Sequence, residues 1–324
     1  MDGDPYQVSL MNIMNKLVAI ILPAYNEELT IEGVIRSFHA ELPDASIWVI
    51  NNRSSDRTEA IALSVFAELN CSGGVIHEAS PGKGNAVRRA FLEVQADIYV
   101  MADADLTYPA QEIHALMRPV VENKADMVVG DRHSSGCYGV ENKRSLHEFG
   151  NQLVRHLVNV LFRSKLIDIM SGYRVFNKRF VKNYPILVSG FEIETDMTLH
   201  ALDKRFRIVE IPIQYLDRPE GSTSKLNTLR DGMKVILTIG NISRYYRPGL
   251  FFGVLSGMVC LAGLLMAIPV LNDWINHRFI FHVPLAILAT GMEIVAVLLA
   301  AIALILDSLA HQDRRNFENK LLSN

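Results

Sequence analysis

Asp103 and Asp105 stand one residue apart, just past the apolar run Ile98-Tyr99-Val100-Met101-Ala102. Residues i and i+2 of an extended chain point to the same side. If extended geometry persists past the strand, the two carboxylates therefore converge. Hard oxygen ligands in that number suit Mg2+ or Mn2+, which keep open positions for water and phosphate oxygens. The competing reading is a pair of turn aspartates, because Asp favours local turn hydrogen bonds. The spacing alone does not separate the two.

The elements that must position these carboxylates are legible on both sides. Strand character over Lys16–Leu22 runs into Pro23-Ala24-Tyr25-Asn26-Glu27-Glu28, and Ile31, Val34, Ile35, Phe38 and Leu42 follow at helical spacing. A second strand over Ser46–Ile50 ends in Asn51-Asn52-Arg53-Ser54-Ser55-Asp56-Arg57-Thr58, with a helix from about Thr58 to Leu69. A third near Gly74–His77 leads to Pro81-Gly82-Lys83-Gly84 and a helix to about Gln95. The fourth strand carries the aspartates, and Asp126–Gly130 is a fifth. Strands alternating with helices specify βαβ units and a mostly parallel sheet. Such a sheet binds ligands beyond the carboxyl ends of its strands, which is where each polar cluster falls. Gly82-Lys83-Gly84 lacks the spacing of a P-loop. No G-x-G-x-x-G follows the first strand, which argues against a dinucleotide cofactor.

A formal charge of −3 and a pI near 6.4 over 324 residues argue against nucleic acid as a partner. Cys71, Cys137 and Cys260 are scattered and have no C-x-x-C spacing. Neither a disulfide framework nor a zinc site is indicated, and a reducing compartment is the default.

Hydropathy divides the chain. Residues up to about 225 read as a soluble domain, whereas Leu250–Leu271 is uncharged and Val283–Leu306 holds one charge, Glu293. At about 1.5 Å rise per residue, each run crosses a hydrocarbon core of about 30 Å. A buried helical hairpin in a soluble protein is the competing reading. The acidic start Met1-Asp2-Gly3-Asp4 lacks the basic region and apolar core of a secretory signal. Arg244 and Arg247 precede the first span, Arg314 and Arg315 follow the second, and the Asn272–His282 loop holds Arg278 alone. The positive-inside bias then puts the soluble domain and both termini in the cytoplasm. Asn227–Tyr246 sets Leu229, Met233, Ile236, Leu237 and Ile239 against Arg230, Asp231, Lys234 and Asn241, the pattern of an amphipathic helix at a membrane interface. A helix packed on the sheet is its alternative. A charge such as Glu293 within a span costs at least about 2.5 kcal/mol by insertion scales. Helix packing or an oligomer contact is expected of it.

In order, Pro23-Ala24-Tyr25-Asn26-Glu27-Glu28, Asn52 with Ser54 and Asp56, Gly82-Lys83-Gly84 and Asp103-Ala104-Asp105 resemble a family 2 glycosyltransferase of the GT-A fold. Gly130-Asp131-Arg132, Ser171-Gly172-Tyr173-Arg174 and Arg218-Pro219-Glu220-Gly221-Ser222-Thr223-Ser224-Lys225 narrow the likeness. They resemble the dolichol-phosphate mannose synthase and polyprenyl-phosphate glycosyltransferase group. The likeness runs from about Leu17 to Lys225. It implies a Rossmann-like α/β catalytic domain over residues 1–225. An interface helix over 226–247 and a transmembrane hairpin over 248–324 follow from the hydropathy.

The resemblance implies that Pro23, Tyr25, Glu27, Asn52, Asp56, Lys83, Asp103, Ala104 and Asp105 hold the nucleotide sugar, with Arg218 and Lys225 on a closing segment. Asp105 is implied as the direct Mg2+ or Mn2+ ligand with Asp103 beside it. Asn52 stands where relatives often carry Asp, and an amide donates where a carboxylate only accepts; uracil against guanine stays open. Thr107 stands where mannose synthases often place Gln as a further ligand.

The implied reaction is transfer of one sugar, with inversion, from a nucleotide diphosphate to a polyprenyl phosphate, undecaprenyl or dolichyl. A lipid phosphate is already ionised, so the site needs cations that hold two anions in line more than it needs a base. Arg132, Arg144 and Arg174 are the acceptor-phosphate candidates, each weighed against a solvated surface arginine. Asp168 matches an aspartate proposed as a base or orienting group; a helix cap or ion pair with Arg174 is the alternative. Glu192 and Glu194 are candidates to line the sugar pocket. A homo-oligomer is a further implication of the likeness. Two other readings stand beside it. A processive polysaccharide synthase is disfavoured because neither Trp48 nor Trp274 follows an Arg. A catalytically silent nucleotide-sugar-binding scaffold would account for Asn51, Asn52 and Thr107.

Overall fold

A computed structural model describes residues 16–134, 145–190, 192–216 and 240–323, without the side chains of 145–149 and 151. Arg144, Arg218, Lys225 and most of the interface helix expected over 227–246 lie outside the described residues. The chain divides into two compact units, Met1–Thr228 and Leu229–Asn324.

In the first unit the strands are β1 (Val18–Ala24), β2 (Ser46–Asn51), β3 (Gly73–His77), β4 (Ile98–Met101), β5 (Met127–Asp131), β6 (Arg174–Asn177) and β7 (Ile208–Pro212). The helices are α1 (Ile31–Glu41), α2 (Thr58–Leu69), α3 (Lys83–Glu93), α4 (Ile113–Val121), α5 (Ser145–Phe162), α6 (Lys178–Asn183) and α7 (Ile193–Asp203). The sheet runs β3-β2-β1-β4-β6-β5-β7. Neighbours are parallel except β6, which runs antiparallel to both β4 and β5. Helices cover both faces of β1 and β4, so Ile20, Ile21, Leu22, Tyr99 and Val100 are fully buried. Each such side chain contributes roughly 1.5–3 kcal/mol relative to exposure. Opposite them, α1 places Ile31, Val34, Ile35 and Phe38 in the same core.

Register brings the strand ends to one edge. Ala24 pairs with Asn51, and Ile21 with Met101, so the chain leaves β1, β2 and β4 side by side. Because β6 is antiparallel, its first residue, Arg174, pairs with both Met101 and Val129. The segment before β6 therefore reaches the same edge from the opposite direction. The expected mostly parallel α/β architecture and the first five strands are present, whereas β6 and β7 have no counterpart in the sequence reading. A four-residue strand that opens on Arg offers no alternation to detect; it is fixed by its two neighbours.

In the second unit, residues 240–246 are helical and two long helices follow, α8 (Pro248–His277) and α9 (Val283–Ser323). Both are long and apolar enough to cross a membrane. They exceed the expected spans: α8 continues past Leu271 and α9 past Leu306 into the charged tail. Asp273 fastens their connection by accepting the Phe281 and His282 backbone N–H groups at 2.9 and 3.1 Å. Ala289, Ala296 and Ala303 are buried at seven-residue intervals along α9, and Ser256 donates to the Ala296 carbonyl at 2.7 Å. Glu293 lies against α8, where a Cβ at Gly263 would sit 2.5 Å from its Oε1. Glu293 thus has a helix-packing place within the hairpin, as expected of it.

Candidate active site

The loops after β1 and β2 are laced together. Asn26, held at φ 54°, accepts the Ser55 N–H at 2.8 Å and donates its own N–H to Ser54 Oγ at 3.1 Å. The Glu27 N–H goes to Thr58 Oγ1 at 2.8 Å, and the Glu28 N–H to Asp56 at 3.1 Å. Asp56 also takes the Thr58 hydroxyl and N–H at 2.5 and 3.0 Å. Burial raises the Asp56 pKa, but these hydrogen bonds outweigh it and hold the carboxyl below its usual range. Asp56, expected among the nucleotide contacts, is placed here as the brace between two loops. Tyr25 is about half exposed, at 47 %; Pro23 and Glu27 are partly buried beside it.

Asn52 is another brace. Its amide donates to the Ser80 and Glu78 carbonyls at 2.6 and 3.3 Å and accepts the Gly82 N–H at 2.7 Å. The side chain expected at the base is used to shape the 78–82 loop. Gly82 (φ 118°) and Gly84 are required for a different close approach: a Cβ on either would lie within 2.2 Å of the Ser189 or Val188 carbonyl oxygen. That crossing seats α3 and aims its first residue, Lys83, inward.

Lys83 Nζ is bound by Asp103 Oδ1 and Glu194 Oε1. The side chains of Lys83 and Glu194 are nearly enclosed, while that of Asp103 keeps 29 % exposure. Burial disfavours the ammonium, but the two carboxylates outweigh it and raise the Lys83 pKa. Gly172 presses on the same carboxylate, since a Cβ there would sit 2.8 Å from Asp103 Oδ2.

The Asp103-Ala104-Asp105 turn is fastened from below by Thr30 Oγ1, which donates to the Ala104 carbonyl at 2.7 Å. Leu106 then reverses the chain at φ 62°. Asp105 is buried, and its Oδ1 accepts the Thr107 hydroxyl and N–H at 2.6 and 3.2 Å. Thr107 thus orients the carboxylate by a local turn, so the turn-aspartate reading and the metal reading are not exclusive. The Tyr215 phenol lies in the field of both aspartates. Burial pushes the Tyr215 pKa up, Arg132 opposes this, and Asp105 and Asp103 add to it. The Asp103 and Asp105 carboxylates, on one turn, are hard ligands of the kind that suits Mg2+ or Mn2+, and two of them are a set short of an all-protein cage. Among the described residues no group of three or more His, Cys, Asp or Glu side chains could hold a metal.

Across the edge, Arg132 follows β5. Its guanidinium makes a two-pronged pair with Asp168 at 2.7 and 3.0 Å, its N–H adds a third bond at 3.2 Å, and it lies 5.5 Å from the Tyr215 ring centroid. Burial raises the Asp168 pKa, but Arg132 outweighs it and keeps the carboxyl below its usual range. An oxygen pair so engaged is an orienting group and a poor base. The ion-pair alternative is realised with Arg132 as the partner instead of Arg174.

Arg174 requires a correction. It is fully buried in the sheet, donating to the Ser171 and Ile169 carbonyls at 2.8 Å each and to Thr198 Oγ1 at 2.9 Å. Its guanidinium ties β6 to the preceding loop and α7, so it has no exposed face for an acceptor phosphate. Tyr108, Tyr215 and Glu210 belong to the site and were not foreseen. Tyr108 hydroxyl accepts the Gly172 N–H at 2.9 Å and its pKa is raised by burial. Aromatics on loops carry no distinctive spacing, and Glu210 lies in a strand that had no signal.

A mixed, mostly parallel sheet thus carries two aspartates of one turn, an enclosed lysine and an oriented arginine at one edge. The chain belongs to glycosyl transferase family 2, whose model matches residues 19–184. It is 30 % identical to glycosyltransferase AglJ of Haloferax volcanii over 86 % of this chain and 90 % of that protein. Polyprenol monophosphomannose synthase of Mycolicibacterium smegmatis is 27 % identical over 66 % of this chain and 83 % of that protein. Among solved structures, glucosyl-3-phosphoglycerate synthase from Mycobacterium tuberculosis, in complex with Mn2+, UDP-glucose and phosphoglyceric acid, aligns at a TM-score of 0.57 and 20 % identity. That alignment covers 74 % of this chain and 85 % of that one, and it shows the GT-A fold.

Proposed function

We propose that this family 2 transferase moves one sugar, with inversion, from a nucleotide diphosphate to a polyprenyl phosphate at the cytoplasmic face of a membrane. The observation that carries the reading is the pairing of Lys83 with Asp103 and of Arg132 with Asp168 at one sheet edge, with Asp105 on the same turn as Asp103, in a chain whose two long apolar helices suit a membrane anchor. The relative named for polyprenol monophosphomannose synthesis supports the acceptor class.

The loops after β1 and β2 receive the nucleoside, with Tyr25 and Glu27 beside the opening. Asp105 and Asp103 would hold Mg2+ or Mn2+, which when bound offsets charge on the leaving diphosphate. Lys83, already between two carboxylates, is positioned to meet the donor's phosphates. A non-bridging oxygen of the acceptor phosphate attacks the anomeric carbon. The bond from that carbon to the diphosphate breaks from the opposite face, and the nucleoside diphosphate leaves. No proton need be removed from an ionised phosphate. Arg132 holds the acceptor anion, and Asp168 orients its guanidinium for that task. Arg144, Arg218 and Lys225 are assigned to the phosphates by likeness. Residues 1–225 form the catalytic domain, 226–247 the interface helix and 248–324 the anchor.

The test is label transfer by the purified protein in detergent with Mn2+ or Mg2+, from a panel of UDP- and GDP-sugars, with and without undecaprenyl phosphate. Label entering the organic phase with one donor, and a loss of at least about 100-fold on Asp105→Ala, is the expected result. Donor binding without lipid product would favour the scaffold reading.

A further inference from the structure

Beyond the acceptor arginine lies a carboxylate that the transfer chemistry does not use. Glu210 sits within β7, opposite Val129 of β5 in the sheet register. Its Oε1 accepts the Asp168 N–H at 2.7 Å, and both its oxygens lie 2.9 Å from the Ile167 N–H. On the other side of the same peptide, Arg155 donates to the Ile167 carbonyl at 3.2 Å. Asn159 clasps Leu166 one residue earlier, accepting its N–H and donating to its carbonyl at 2.9 Å each. The segment is therefore gripped at successive peptides up to Asp168, whose oxygens hold Arg132.

We propose that Glu210 is a positioning residue for Arg132, acting through the backbone of residues 167–168 and the Asp168 carboxylate. The chain of contacts is continuous: Glu210 to the Asp168 N–H, Asp168 to the Arg132 Nε and Nη2. The arrangement is costly in isolation. Burial lifts the Glu210 pKa, and the neighbouring Asp131 and Asp168 charges add to the rise. A neutral acceptor would satisfy two N–H groups at lower cost. What the geometry uses is one side-chain oxygen, Oε1, that accepts both the Asp168 and the Ile167 N–H, which fixes the direction of the peptide and hence of Asp168. An arginine that must oppose a phosphate during in-line attack gains from such a fixed mount, since a displacement of about 1 Å can cost about 100-fold in rate.

The inference rests on the reading of Arg132 as the acceptor-phosphate contact, and its test separates the two. Steady-state transfer to undecaprenyl phosphate is measured for wild type, Glu210→Ala, Glu210→Gln, Arg132→Ala and the double variant Glu210→Ala/Arg132→Ala. Glu210→Ala is expected to lower kcat/KM for the lipid phosphate about tenfold or more, within the range set by misplacement, while KM for the nucleotide sugar stays put. Glu210→Gln, which keeps an acceptor, recovers most of the loss. The double variant is no worse than Arg132→Ala alone. Multiplicative losses in the double variant, or an equal loss in donor KM, overturn the proposal and leave the transferase reading intact.

A second readout does not depend on turnover. In full-length protein with 15N-labelled arginine, the Arg132 Nε–H is expected to exchange slowly in wild type and Glu210→Gln and at least tenfold faster in Glu210→Ala. Unchanged exchange overturns the positioning role even if the protein makes no lipid product. Faster exchange in Glu210→Ala supports it whichever acceptor is found.

Discussion

The two sides of the sheet edge are held by different physics. After β1 and β2, short polar side chains hydrogen-bond to backbone groups of the neighbouring loop: Asn26 with Ser54 and Ser55, Asp56 with Glu28 and Thr58, Asn52 with Gly82. Around β4, β5 and β6, enclosed charges do the holding: Lys83 between Asp103 and Glu194, Arg132 on Asp168. The first side is a frame of local hydrogen bonds between loops. The second is a set of ion pairs that draw on distant parts of the chain. Buried ion pairs are poor sources of net stability but very costly to break on one side only, so the charged half should be the more fragile of the two.

Removing one member is the sharpest way to expose that difference. Lys83→Ala leaves two carboxylates facing one enclosed space and should cost about 3–5 kcal/mol, seen as a lowered midpoint in thermal or denaturant unfolding. Adding Glu194→Leu should recover much of that loss while leaving donor binding impaired. Recovery of both would show that the cluster is purely structural.

Gly172→Ala sits at the seam. Its Cβ would meet Asp103 Oδ2 at 2.8 Å, so the carboxylate or the loop must move, at about 1–3 kcal/mol for such overpacking. The expected signature is weaker Mn2+-dependent donor binding by titration, out of proportion to the drop in melting temperature.

On the hydrogen-bonded side, Asn52→Asp removes the donor that satisfies the Ser80 and Glu78 carbonyls. An acceptor facing acceptors should cost about 1–3 kcal/mol and loosen donor binding. Proteolysis or hydrogen exchange confined to residues 78–82 would check it. If Asn52→Asp instead binds one nucleotide more tightly, the amide is reading the base and is not merely bracing the loop.

The smallest effect is one of pH. Asp168 has a folded pKa below its ordinary value because Arg132 outweighs burial, so its stabilisation is fully present above the unfolded value of about 3.9. It is lost as pH falls through the lower folded value. The melting-temperature gap between wild type and Asp168→Asn should therefore be constant from neutral pH to about pH 5 and shrink below about pH 4.

Much of this edge was legible in the chain itself. The βαβ alternation, the first five strands, α1, α2 and α3, and the clusters at Pro23–Glu28, Asn51–Thr58, Gly82–Gly84 and Asp103–Asp105 follow from local periodicity and turn chemistry. So do two runs of spanning length, because spanning is a matter of length and composition. What local pattern cannot carry is the partner of a buried charge. Lys83 finds Glu194 at a separation of 111 residues and Arg132 finds Asp168 at 36, contacts that exist only once β6 enters the sheet antiparallel. The same insertion turned Arg174 inward, since a strand flanked on both edges must satisfy a guanidinium from its own surroundings. Residue types and strand order thus determined that polar and charged side chains would collect at this edge. The tertiary structure decided which cations stand there and which are used to hold the sheet, because in a closed interior each charge is fixed by the geometry of its nearest opposite.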